Sequence, residues 1–112
     1  MSNDIKLLPE TLRSLAFGSI GAAYMGVGTA LDNPSRMLII QNLTDAAVLF
    51  SFDGVNDHLV LDDGVSLVMD ITANKSISHG FYIAAGTRIY VKRSGVPTTG
   101  SVYVSSFYGG GV

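Results

Sequence analysis

The chain is built of short apolar runs separated by clusters of turn-forming residues. Residues 37–40, Met37-Leu38-Ile39-Ile40, are apolar at every position, and residues 47–52, Ala47-Val48-Leu49-Phe50-Ser51-Phe52, nearly so. Runs of this length suit strands covered on both faces, and they predict the two central strands of a core. Residues 87–93 alternate instead. Arg88, Tyr90 and Lys92 fall on one side and Ile89 and Val91 on the other, the period of a half-buried strand. Further strands are expected at 65–71, 80–83 and 101–107. Between residues 13 and 31, Leu15, Phe17, Ile20, Tyr24 and Val27 are interleaved with Gly18, Gly21, Gly26 and Gly28. That stretch suits one long kinked strand or two short ones, with glycines at bulges or close backbone approaches.

The punctuation is equally regular. Asp32-Asn33-Pro34-Ser35, Asn42-Leu43-Thr44-Asp45, Asp53-Gly54, Asp62-Asp63-Gly64, Ala85-Gly86 and residues 94–100 carry the side chains that bond their own backbone or supply positive φ, and residues 72–76 read as a loop. Seven to nine short strands with turns about every 8–12 residues, and almost no helix, predict an all-β, antiparallel β-sandwich of jelly-roll-like type. Pro9 removes a backbone donor and restrains its neighbour. Residues 1–12 are therefore expected to form an extended N-terminal arm, with room for one helical turn after Pro9. Residues 13–108 would be a single sandwich domain and residues 109–112 a flexible glycine-rich tail.

Composition adds a constraint that the pattern does not contain. Of the 112 residues, 47% are apolar but only 14% are charged, against about 25% in an ordinary soluble domain. A free monomer needs solvated groups over its outside, so this scarcity predicts a homo-oligomer whose subunits cover one another. A net charge of −2 and a pI near 5.4 leave no basic footprint for phosphate backbones, which argues against direct nucleic-acid binding. Without cysteine there can be no disulfide, thiolate metal site or thiol nucleophile. The opening MSNDIKLLPETLRSL lacks the basic start and continuous apolar core of an export signal, so synthesis in the cytoplasm is expected. Four glycines interrupt residues 14–31, which fall short of the roughly 20 apolar residues of a membrane span. Asn42-Leu43-Thr44 fits a glycosylation sequon, but a strand end running into a turn explains it more simply.

The stretch FSFDGVNDHLVLDDG, residues 50–64, concentrates the chain's oxygen ligands. Counted from Asp53 as a helix-loop-helix calcium loop it fails, because position 3 is Val55, position 6 is His58 and position 12 is Gly64. A looser calcium site would draw on Asp53, Asn56 and Asp57. Turn geometry is the simpler account: Asp53-Gly54 and Asp62-Asp63-Gly64 make two turns with the strand His58-Leu59-Val60-Leu61 between them. His58 and His79 lack the spacing of a zinc site. A hydrolase would need Ser51, His58 and an aspartate to converge without a Gly-x-Ser-x-Gly elbow. Gly26-Val27-Gly28 is not a phosphate loop, since the third glycine and the helix are missing. Asp62 and Asp63, as sequence neighbours in a strand, point to opposite faces. No catalytic residue, resident metal or cofactor is assigned. Tyr82, Tyr90 and Tyr103 are the stacking candidates for a carbohydrate-binding module, although aromatics at strand spacing more often pack in a core or against a subunit.

Taken together, NLTDAAVLFSFDGVNDHLVLDDG, DITANKS and GFYIAAGTRIYVKRSGVPTTGSVYVSSFYG resemble small β-sandwich structural proteins in the virions of tailed bacteriophages. The likeness covers residues 36–109. It rests on a strand ending in Ser-x-Asp-Gly, an Asp-Ile-x-x-Asn-Lys loop and a final hairpin joining Gly-Thr-x-Ile-Tyr-Val-Lys to Gly-Ser-Val-Tyr-Val. The resemblance implies a virion component made in the host bacterial cytoplasm and present in many copies at the head-tail neck or tail, with capsid decoration as the alternative. Its implied partners are other copies of itself and portal, connector, tail or major capsid proteins. It implies no catalytic residues.

Overall fold

Alternation along residues 35–42 decides the first layer. In strand β4 (Ser35–Asn42) the side chains of Leu38, Ile40 and Asn42 are fully buried, while Met37, Ile39 and Gln41 are half-buried on the opposite face. The strand expected to be covered on both sides is covered on one. The computed structural model describes residues 6–70 and 83–110. Among them β4 lies between β9 (Ser101–Gly110) and β7 (Ser66–Asp70), and β1 (Lys6–Pro9) and β2 (Arg13–Ala16) pair one after the other along the far side of β9. The second sheet has the order β3 (Met25–Gly26), β8 (Tyr90–Arg93), β5 (Val48–Ser51), β6 (Leu59–Leu61). Every pairing is antiparallel. The chain therefore forms the all-β antiparallel sandwich expected from its turn spacing, with nine strands among the described residues.

The core lies between the sheets. Leu38, Ile40, Val102 and Val104 from the five-stranded sheet meet Val48, Phe50, Val91 and Leu61 from the four-stranded one. At about 1.5–3 kcal/mol for each fully buried side chain, this layer supplies the main driving force for bringing the sheets together. Within residues 87–93 the alternation is as expected: Ile89 and Val91 are buried and Arg88 is exposed. Residues 13–31 yield two short strands, β2 and β3, with a single 3-10 turn at Phe17–Ser19 between them.

Several elements differ from expectation. No helical turn follows Pro9, since the Glu10 amide continues the ladder to the Ser106 carbonyl at 2.9 Å. Within the expected extended N-terminal arm, Lys6–Pro9 is a strand paired with residues 107–110. The last strand likewise runs through Gly109 to Gly110, into the stretch expected to be mobile. The expected final hairpin does not exist: β8 pairs with β3 and β5, whereas β9 belongs to the other sheet. Among the described strands, β1–β2 and β5–β6 are the consecutive pairs that share a sheet. The expected loop at 72–76, most of the strand at 80–83, His79 and Tyr82 lie outside the described residues; Ile83 itself bridges Ser35.

The β8–β9 crossover explains its own sequence. Ser94 and Gly95 donate their amides to the Ala47 carbonyl at 3.1 and 3.0 Å, and the Leu43 amide donates to the Ser101 carbonyl at 3.0 Å. The Asp45 carboxylate accepts from the Thr98 hydroxyl and from the Thr98 amide at 2.7 Å, which holds that carboxyl below its ordinary range. At Gly100, with φ of +86°, a side chain would collide with the Leu43 carbonyl oxygen. Gly64, with φ of +75°, has nothing within 4 Å of where a Cβ would stand.

Asn42 closes the same end of the sandwich. The two hydrogens of its amide nitrogen are shared among the carbonyls of Ala46 (2.9 Å), Leu61 (3.0 Å) and Asp62 (3.0 Å). Its side-chain oxygen accepts from the Thr44 amide (3.1 Å) and hydroxyl (2.6 Å). Its backbone pairs with Val65 and Gly64 as well. A fully buried amide committed in this way is closed to glycosylation in the folded chain.

Replacing Asn42 with Ala should lower stability by about 3 kcal/mol, read by urea denaturation, because it strands buried carbonyls and the Thr44 hydroxyl. Gly64→Ala should cost about 1 kcal/mol for the left-handed backbone alone, and Gly100→Ala distinctly more, in the same assay.

Candidate functional site

The oxygen-rich loop after β5 satisfies itself. Ser51 is fully buried; its hydroxyl donates to Asp53 Oδ1 (2.8 Å) and accepts from the amides of Asp53 (3.2 Å) and Gly54 (2.9 Å). The same Asp53 oxygen accepts from the amides of Val55 (2.8 Å) and Asn56 (2.9 Å), and Asp53 Oδ2 accepts from Asn56 Nδ2 (2.9 Å). The amides of Asn56 and Val55, with the Ser51 and Asn56 side chains behind them, hold the Asp53 carboxyl far below the usual carboxylate range. Gly54 has φ of +77°, and a side chain there would press on the Tyr90 ring at 3.3 Å. Sequence and geometry agree that this segment is a turn.

The candidate residues are near one another without forming a reactive set. Asp57 turns away from Asp53 and accepts from the Tyr24 hydroxyl (2.5 Å) and from Lys92 Nζ (3.1 Å). The Tyr24 hydrogen bond, then Lys92, lowers the Asp57 carboxyl, while burial and then Asp57 raise the Tyr24 phenol. A cation drawing on Asp53, Asn56 and Asp57 would have to displace these internal donors and face the Lys92 ammonium. No group of three or more metal-binding side chains assembles among the described residues. In the trio of Ser51, His58 and Asp53, the serine proton goes to Asp53, and His58 Nδ1 accepts the Phe52 amide at 2.9 Å. His58 Nε2 lies 4.0 Å from Asp53 Oδ2. The serine-to-imidazole hydrogen bond that activates a hydroxyl is therefore not formed.

The tyrosines separate. Tyr90 sits on the outside of the four-stranded sheet beneath the Arg88 guanidinium, 5.8 Å from its ring centre, and Lys92 lies 4.7 Å over Tyr24 on the same side. Tyr103 projects from β9 opposite Gln41 and Ser14, on the outside of the other sheet. A stacking platform needs its rings on one face, and these two stand on opposite sides of the sandwich.

Two features were not anticipated from the sequence. The first is an ion pair between Arg13 and Glu10, 2.7 Å apart with side chains only 6% and 4% exposed. Arg13 also donates to the carbonyls of Thr29 (2.8 Å) and Ala30 (3.0 Å). Glu10 accepts from the Asn33 amide (2.9 Å) and side chain (3.2 Å) and from the Asp32 amide (3.4 Å). The pair ties the edge of the five-stranded sheet to the segment leading into β4, and a cavity of about 320 Å³ opens beside it between Leu12 and Thr29. Gly28, at φ of +66°, is needed because a side chain there would meet Arg13 Cβ and Cγ at 2.9 Å. Glu10 and Arg13 in PETLR are the only sequence-level sign, and their partners lie some 20 residues further on.

The second feature is the outer face of the five-stranded sheet. Register and alternation put Leu7 and Pro9 of β1, Met37 and Ile39 of β4, Val68 of β7, and Tyr103 and Phe107 of β9 on it, interspersed with Ser14, Gln41, Ser66 and Ser105. Val68 is 59% and Leu7 51% exposed. Among the described outward positions charge is confined to Arg36, at the bulge before Met37, and Asp70, at the end of β7. A free sheet surface is usually polar on its solvent side, so this face has the composition of an interface.

No protein-family model, curated protein or solved structure matches the chain. No helix among the described residues is long and apolar enough to cross a membrane.

Burial pushes the Glu10 carboxyl up, but the hydrogen bonds from Arg13, Asn33 and Asp32 outweigh it and leave it below its ordinary value of 4.5. That stabilisation is complete above the unfolded-state value and lost as pH falls through the lower folded one. Glu10→Gln should cost about 3 kcal/mol at pH 7, and the gap to wild type should narrow once the pH drops below about 4.5, as followed by urea denaturation at several pH values.

Proposed function

We propose that this chain is a non-enzymatic structural protein of a tailed-phage virion, assembling in many copies at the head-tail neck or tail. The observation that carries the assembly part of this reading is the outer face of the five-stranded sheet, with its apolar and hydroxyl side chains and charge only at Arg36 and Asp70. A monomer gains nothing from keeping Val68 and Leu7 in water, whereas a subunit covers them when it docks. The low charge of the whole chain, 14%, supports the same reading. The strand order supports the jelly-roll description, with β1 and β2, β9, β4 and β7 in one sheet and β3, β8, β5 and β6 in the other. The virion part of the proposal rests on the resemblance carried by residues 36–109.

The self-satisfied loop at residues 51–58 supports a scaffold in preference to a reactive centre, since its donors and carboxylates already serve one another. The separation of Tyr90 from Tyr103 disfavours the carbohydrate-binding alternative. Mass spectrometry of purified virions from the encoding phage should recover the protein in fixed ratio to the capsid and tail proteins. Recovery only in the soluble host fraction would overturn the proposal. A density map of the particle would then distinguish neck or tail from capsid decoration by the number of copies around the symmetry axis.

A further inference from the structure

We infer that the outer face of the five-stranded sheet is covered by the same face of a second copy of this chain, in a twofold, sheet-on-sheet dimer that serves as the building unit of the assembly. The inference rests on the reading of the protein as an assembly subunit and names the first partner of that surface. Area supports it. At about 4.8 Å between strands and about 3.3 Å per residue, the strands of this face cover on the order of 500 Å² per copy, so a face-to-face pair buries about 1,000 Å², the size at which specific interfaces begin.

Charge supports a like partner. In a twofold contact each patch meets its own copy, so a net charge near the centre would repel itself. Here Ile39 and Ser105 stand at the middle of β4 and β9, and the charged positions, Arg36 and Asp70, are of opposite sign and lie together toward one end of β4 and β7, so the face carries no net charge to repel its copy. Shape supports stacking as well, because half-buried side chains from successive strands form the ridged surface by which two sheets pack about 10 Å apart. The opposite side of the molecule does not share these properties. There Arg88, Lys92 and Asp57 stand among the aromatic rings.

Sedimentation of the purified full chain across the micromolar range tests the inference. Wild type should reach a dimer, and Ile39→Asp and Tyr103→Lys should each weaken it by about 100-fold. Val60→Asp, on the outside of the other sheet, should leave it intact. Thermal melting of each variant in its monomeric range, unchanged from wild type, separates loss of the interface from loss of the fold. A wild-type monomer throughout, a trimer or ring in place of a dimer, or a dimer lost in Val60→Asp but kept in Ile39→Asp would overturn the twofold pairing. Such a result combined with recovery from virions would leave the assembly reading standing, whereas a dimer absent from virions would remove the virion reading and leave the pairing.

Discussion

The sandwich depends on Asn42. Two sheets pressed together by apolar side chains are free to slide unless something directional fixes them at an end, and hydrogen bonds do this because they lose strength steeply with distance and angle. Asn42 sits at the last position of β4 and reaches the carbonyls of Leu61 and Asp62, where the chain leaves the other sheet, while holding Thr44 and Ala46 in the turn behind it. One buried amide thus sets the end of β4, the turn after it and the crossing from β6 to β7. The crossover from β8 to β9 packs against the same turn through Asp45 and Leu43. An amide in that position is costly to bury unless every polar atom finds a partner, and here both its oxygen and its nitrogen do.

The edge of the five-stranded sheet is held by charge. Arg13 and Glu10 are buried together, and their remaining hydrogen-bonding capacity is directed to the backbone of residues 29–33. Desolvating such a pair costs energy that its mutual attraction only partly returns, so it is better understood as fixing the path of the chain than as a large net source of stability. Lys92 with Asp57 and Arg88 with the Gly28 carbonyl act in the same way on the outside of the four-stranded sheet. Several of the few ionic groups are thus tied into internal contacts, and the outward side of the five-stranded sheet is left nearly neutral. Scarcity of charge and the composition of that face are two views of one fact.

The loop at residues 51–58 shows how acidic, amide and imidazole side chains can hold one another and their own backbone. Asp53 is held ionised by donors from its own turn, Ser51 is buried as the hub of that turn, and His58 accepts the Phe52 amide. Read as a list, Ser51, Asp53, Asn56, Asp57 and His58 suggest chemistry. The hydrogen bonds that Ser51, Asp53 and His58 make are those of a turn.

Features local to a few residues could be read from their order alone. The alternation of residues 87–93, the apolar runs at 37–40 and 47–52, and the Asp-Gly turns at Gly54 and Gly64 were legible because side-chain period and positive φ are properties of a few consecutive residues. Tertiary structure alone decided which strands became neighbours. That Lys6–Pro9 pairs with β9, that β8 and β9 part into two sheets instead of forming a hairpin, and that Glu10 finds Asn33 depend on contacts between residues far apart in the chain. Such contacts are selected by the packing of whole faces, and no short window of sequence contains both partners. The neutrality of one sheet face was hidden for the same reason: its apolar positions come from four strands scattered along the chain, and only the register brings Leu7, Ile39, Val68 and Phe107 onto one surface.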